Sequence, residues 1–289
     1  MSDAPAFRPG TPAGVRALLL RVGERVVLGP VLDRSAQLAF YAVLSLAPFM
    51  VVLTSLAGFV PSAGAVERLL SRAEGLMPAE AFHQVSGVVH DVVDSRSATL
   101  FTVGLLTALW SASRAANALR TALNSAHGME EGRSFLRQQL IAIGFTVGGA
   151  ALMLASVVAS VVGADLVERV GAALGVEMGA QAVAWGLIRW PVAVASLGTL
   201  AALAYRVLPD LRPRAGATAW GATVATVLFL ASSRLFSLYA ERFADFGPTY
   251  GSLTGVVVLL LWSWLTAIAF IVGGEVTAAL PGARARREP

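Results

Sequence analysis

The stretch Gly255-Val256-Val257-Val258-Leu259-Leu260-Leu261-Trp262-Ser263-Trp264-Leu265-Thr266-Ala267-Ile268-Ala269-Phe270-Ile271-Val272-Gly273-Gly274 holds no charged side chain. It sits inside a longer uncharged interval, Phe246 to Gly274, that ends only at Glu275. A bilayer's hydrocarbon core takes about 20 apolar helical residues to cross, so this segment alone is long enough to span. The run Val256 to Trp262 lacks the period-two alternation of a barrel wall, which leaves a helix.

Five more intervals of the same kind occur along the chain. Spans are expected at about 36–60, 97–119, 139–163, 182–205, 215–238 and 250–276. The fourth carries Arg189, and the second and fifth continue past Arg114 and Arg234. The expected fold is therefore all-α, a polytopic membrane bundle of six transmembrane helices over residues 35–280, with a cytoplasmic segment at 1–34 and a basic tail at 281–289.

Composition agrees with that reading. The 289 residues are 56% hydrophobic before their 28 glycines are added and only 14% charged, at a mean hydropathy of +0.69. Soluble domains run at about 25% charged. So little charged surface excludes a disordered chain, a nucleic-acid-binding domain and most soluble enzymes. With no cysteine, disulfides, thiolate catalysis and cysteine-based metal sites are excluded as well. All 22 basic residues are arginine.

Those arginines set an orientation, because positive loops stay in the cytoplasm. Fifteen fall on one side: Arg8, Arg16, Arg21, Arg25 and Arg34, then the loops after spans two and four, then the tail. The alternate loops hold fewer arginines and ten of the 18 acids. Both termini are expected in the cytoplasm of a cell whose inner membrane the chain crosses repeatedly. Leu18-Leu19-Leu20 is cut off by Arg21, too short for a cleavable signal, so the chain is expected to keep its N-terminus. Residues 15–28 alternate apolar and arginine faces like a helix lying in the membrane interface. Two further amphipathic helices are expected between Pro61 and Arg96, parted at Met77-Pro78.

Prolines fall mostly between spans. Pro48 and Pro191 lie inside and are expected to kink their helices, freeing the carbonyls of Leu44 and Leu187. Gly144 with Gly148, and Gly251 with Gly255, have the spacing that lets helices pack closely.

Inside a membrane the informative residues are the polar ones, since each costs free energy to bury there. Gln37, Tyr41 and Ser45 recur every four residues on span one, just before Pro48. Arg114, Asn117, Thr121 and Asn124 form a stripe on span two, one turn after Trp110, and Glu275 closes span six. Together they make a candidate polar site open to the cytoplasm, or else hydrogen bonds that merely join helices. Arg114 and Glu275 either approach one another in the bundle interior as mutual countercharges or snorkel separately to the headgroups. Arg189 and Arg234 are expected to pair with acids drawn from Asp165, Glu168, Glu241 and Asp245.

Enzymatic chemistry is poorly supported. His83, His90 and Asp94 have helical spacing compatible with an external zinc, though a wet helix face explains them equally, and no metal or cofactor is expected. There is no phosphate-binding glycine loop, nucleophile elbow or two-metal carboxylate cluster.

Several strings carry a likeness. Ala36-Gln37-Leu38-Ala39-Phe40-Tyr41-Ala42-Val43-Leu44-Ser45-Leu46-Ala47-Pro48, Trp110-Ser111-Ala112-Ser113 leading to Ala122-Leu123-Asn124, Tyr205-Arg206-Val207-Leu208-Pro209, Tyr250-Gly251-Ser252-Leu253 and Trp262 through Glu275 occur in order over residues 35–280. The sequence resembles the YihY/BrkB family of bacterial inner-membrane proteins. It departs at Gly274-Glu275-Val276-Thr277, where that family commonly has an Ala-Glu-Leu-Asn type string. The resemblance implies six helices in the cytoplasmic membrane and little biochemistry; the family's former ribonuclease BN label finds no residues to support it. The function expected is non-enzymatic binding or transport of a small solute or lipid, with membrane lipid as partner and no nucleic acid. An envelope scaffold is the alternative, and a membrane ribonuclease the third reading.

Overall fold

The computed structural model describes residues 12–58, 71, 82, 86–87, 98–173, 178–243 and 253–280. These form seven long helices: α1 Pro12–Val27, α2 Val31–Gly58, α3 Ala98–Ala126, α4 Phe135–Ala173, α5 Met178–Val207, α6 Ala215–Phe243 and α7 Leu253–Ala279. The chain is all-helical where described, as its uncharged runs require.

From α2 to α7 each helix packs on the next in sequence, and α7 closes the ring against α2. The closing helix also touches α3 and α5, so it is the inner member of the bundle, while the short α1 lies across α7 and α2. Among the described residues, four helices contain segments long and apolar enough to cross a membrane: Phe135–Ser156, Trp190–Val207, Ala215–Tyr239 and Gly255–Ala279. They correspond to expected spans three to six. The first two expected spans coincide with α2 and α3, which are not in that set. On α3 the apolar character is diluted by Arg114, Asn117, Arg120 and Asn124; on α2 the side chains beyond Leu46 lie outside the described residues.

Little of the apolar surface is internal. In the segment Phe135–Ser156 only 6% of the residues are buried, and Leu106, Leu140, Trp220, Val227 and Val257 all point outward. An apolar exterior of this extent on a long helical bundle is the signature of a lipid-facing belt. At 39 residues α4 is about 58 Å long, against about 30 Å of hydrocarbon, so it outruns a single crossing.

The tight core lies at one end of the bundle, where Val31, Leu119, Ala122, Leu123, Ala201, Ala204, Tyr205, Leu208, Ala222, Ala225 and Ile271 meet. Its many alanines let the helices come close, and one crossing needs glycine outright. A Cβ on Gly221 of α6 would stand 2.5 Å from the Gly273 carbonyl oxygen and run into the Thr277 hydroxyl; one on Gly273 would sit 2.6 Å from the Gly221 oxygen. The expected glycine pair Gly144 and Gly148 has no such role, because a Cβ at either position meets nothing within 4 Å. Both face outward, and four-residue spacing alone does not create a neighbour. Gly251 lies outside the described residues.

Helical structure continues through Pro48 and Pro191. Of the segment expected to hold two external amphipathic helices only Ser71, Phe82, Ser86 and Gly87 are described, and His83, His90 and Asp94 lie outside the described residues, as do Asp245 and the side chains of Arg189, Asp165, Glu168 and Glu241.

Candidate functional site

The core end of the bundle gathers Arg25, Arg34, Arg120 and Arg133, four of the arginines that the sequence places on one side. Gly29 and Pro30 break the chain between α1 and α2, and a side chain at Gly29 would collide with the Arg25 carbonyl, so the turn is tight. That turn presents Arg25 to α7. Its Nε donates to Glu275 Oε2 at 3.2 Å and its Nη2 to Glu275 Oε1 at 3.1 Å, while Nη2 also reaches the Ser125 carbonyl at 2.9 Å. The expected approach of Arg114 to Glu275 is therefore corrected: the countercharge comes from α1. Arg114 lies elsewhere, its guanidinium carbon 5.4 Å from the centre of the Trp110 ring, a cation–π contact one turn away on the same helix.

Arg34 donates to the Thr121 carbonyl at 3.1 Å, so with Arg25 two cations cap the negative end of α3. Burial lowers the Arg34 pKa from its ordinary value, as does the nearby Arg25, against a raising influence from Glu275. It remains a cation, since an arginine does not lose its proton in proteins.

Just past this cap α3 ends in a Schellman turn. Gly128 has φ of 63°, Gly128 N–H donates to Ser125 at 3.0 Å and Met129 N–H to Asn124 at 2.9 Å. The reversal aims Glu131 back at the bundle, where its Oε2 accepts from Arg120 at 2.8 Å and Asn124 at 3.0 Å. Arg133 Nε in turn donates to Asp210 Oδ1 at 2.8 Å, and Asn124 Oδ1 accepts from Asp210 N–H at 2.9 Å. Two loops, α3–α4 and α5–α6, are thus tied through a network with two arginines and two acids in balance. Asn124, expected in the polar site, belongs to this tie. Ser45 donates to its own helix at Ala42, at 2.7 Å.

Beside the network is a cleft of about 250 Å³ between α2, α3 and the start of α4. Gln37 and Tyr41 line it from α2, Arg114, Asn117, Ala118, Arg120 and Thr121 from α3, and Phe135, Gln138 and Gln139 from α4. Five of the eight expected polar residues, Gln37, Tyr41, Arg114, Asn117 and Thr121, therefore share one cavity. Glu275, Asn124 and Ser45 do not line it.

Hydrogen bonds hold the cleft wall. Asn117 Nδ2 donates to Gln139 Oε1 at 3.1 Å, Gln139 Nε2 to Ser113 Oγ at 2.9 Å, and Gln138 Nε2 to the Arg133 carbonyl at 2.7 Å. Two polar atoms are buried there with no partner among the described residues: the acceptor Asn117 Oδ1 and the donor Arg120 Nε. Burial lowers the Arg120 pKa, offset in part by Glu131. Sequence reasoning missed Gln138 and Gln139; two adjacent amides at the mouth of a span were the available signal. Among the described residues no group of three His, Asp or Glu side chains is placed to hold a metal.

The family described as virulence factor BrkB matches residues 24–289. A Bacillus subtilis protein bearing the name ribonuclease-like protein YfkH is 32% identical over 248 residues, 86% of this chain and 89% of that one. A UPF0761 membrane protein of Alkalilimnicola ehrlichii is 27% identical over 274 residues, 90% of this chain and 57% of that relative's length. Another, from Idiomarina loihiensis, is 29% identical over 93 residues, 32% of this chain and 33% of that one. No solved structure matches the chain.

Proposed function

The chain belongs to the virulence factor BrkB family and is a multi-pass helical membrane protein, and from that premise we propose that it binds or moves a small solute or a lipid through the α2–α3–α4 cleft. It does so from the cytoplasmic membrane, crossing six times with both termini in the cytoplasm. The observation that carries this reading is the cleft itself: Gln37, Tyr41, Arg114 and Asn117, from two helices, converge on one cavity of about 250 Å³. A bundle that needed only adhesion would have no reason to leave such volume polar and open. No nucleotide loop is present in the sequence, so movement is passive, ion-coupled or driven by a partner. The test is a solute-uptake screen in reconstituted vesicles: flux present in the wild type is lost in Arg114→Ala, and equal flux in both removes the reading.

A scaffold role is the second reading, favoured by one specific observation. The Asn117–Gln139–Ser113 chain joins α3 to α4 in the manner of simple helix glue. The ribonuclease wording belongs to the Bacillus relative; for this chain it would require RNA cleavage by purified protein that vanishes on changing one named acid.

A further inference from the structure

We infer that the cleft is a receptor for a phosphate-bearing anion, held between Arg114, Arg120 and the first turn of α4. The inference rests on the reading of the cleft as a binding site and names the chemistry of what enters.

None of the ten lining residues is acidic, while two are arginines, which excludes a cation as the natural occupant. The two arginines differ in kind. Arg114 stands at the rim, exposed, with no carboxylate in salt-bridge range among the described residues. Arg120 is in the wall with its side chain only 9% exposed; Glu131 takes its Nη1, and its Nε is left without a partner. A guanidinium donor buried and unused costs free energy until something accepts from it. Phe135, Gln138 and Gln139 belong to the first turns of α4, so the positive end of that helix also borders the space.

The unpartnered acceptor narrows the class. Asn117 Oδ1 is buried in the same wall and needs a donor. A carboxylate or a sulfate is acceptor-only at neutral pH and leaves that atom unsatisfied. A protonated phosphate or phosphate monoester presents both, oxygens toward the arginines and a P–OH toward Asn117. Its second proton titrates at about pH 6, so a share of it carries that proton at neutral pH. The space is about eight water volumes, more than one phosphate fills, so the phosphate comes attached to a small group. That group is a small soluble alcohol or the diacylglycerol of a lipid phosphate monoester, whose tails meet the exposed Trp110 and Phe135 at the rim.

The experiment uses the full chain in maltoside micelles free of phosphate and reads thermal unfolding and tryptophan emission. One arm titrates inorganic phosphate and glycerol 3-phosphate, with sulfate at equal ionic strength as comparison. The other adds phosphatidic acid, a lipid phosphate monoester, with a galactolipid lacking phosphate as comparison. We expect phosphate compounds to stabilise the wild type more than sulfate does, Arg114→Gln to bind at least about tenfold more weakly, and Arg114→Lys to recover part of the loss. Arg206→Gln, an exposed arginine outside the cleft, should bind as the wild type does. A response confined to the soluble arm supports the inference with a free ester as ligand, and one confined to the lipid arm supports it with a headgroup. No response in either arm overturns it, as does an equal response in Arg114→Gln, or sulfate matching phosphate. Phosphate binding without vesicle flux would remove transport and leave the inference; Arg114-dependent flux without phosphate binding would do the reverse.

Discussion

Arg25 and Glu275, 250 positions apart in the chain, meet in a two-nitrogen grip at 3.2 and 3.1 Å. The carboxylate is the buried partner, its side chain 7% exposed against 35% for the arginine. Removing Arg25 therefore strands a charge inside the bundle, whereas removing Glu275 leaves a cation that water still reaches. Arg25→Ala should cost about 2 to 3 kcal/mol of stability, below the range for a fully buried pair because the arginine is partly wet. Glu275→Gln should cost less. Reversing the pair, Arg25→Glu with Glu275→Arg, should recover part of the loss in thermal unfolding; no recovery would argue against direct contact.

The α6–α7 crossing depends on two hydrogens in place of side chains. Gly221→Val or Gly273→Ala drives a carbon into the facing backbone, 2.5 Å and 2.6 Å from the opposing carbonyl oxygens. We expect each to lower stability by about 1 to 3 kcal/mol or to abolish folding. Gly144→Ala, with open space around it, should be neutral or slightly stabilising through helix propensity. Equal effects at all three positions would contradict the packing described.

Gly128 permits the reversal that aims Glu131 at Arg120. Gly128→Ala should cost about 1 kcal/mol for the left-handed conformation. It should also make the loop around residues 129–134 more sensitive to limited proteolysis, because the Glu131 and Asp210 contacts loosen together. Unchanged cleavage in the variant would separate the turn from the network.

Orientation is testable without function. Reporter fusions near residue 30 and after residue 280 should report the same, cytoplasmic compartment, and a fusion between α4 and α5 the opposite one. Opposite answers for the two ends would break the six-crossing topology.

Four of the spans were readable because charge is excluded from hydrocarbon, and Gln138 to Ala164 or Ala215 to Ser233 mark their own limits. The polar cleft was half readable. Gln37 with Tyr41 and Arg114 with Asn117 declare themselves by helical spacing, but nothing in one helix announces which face of another will meet it. Arg25 escaped for a related reason: it reads as one cation among several on an interfacial helix, and its partner is set by the Gly29-Pro30 turn. The glycines teach the same lesson from both sides. Gly144 and Gly148 have the glycine-to-glycine spacing of a packing motif and a Cβ there touches nothing, whereas Gly221 and Gly273 have no glycine four residues away and are pressed together.

Because the closing helix is the inner one and grips the first, the molecule's earliest part waits for its latest. At roughly 5 to 20 residues per second of synthesis, about 12 to 50 seconds separate Arg25 from the emergence of Glu275 at a position 250 residues later. During that interval the nascent chain holds an incomplete circle in the bilayer, and a ribosome that stalls before α7 leaves a product with a gap for quality-control proteases to find.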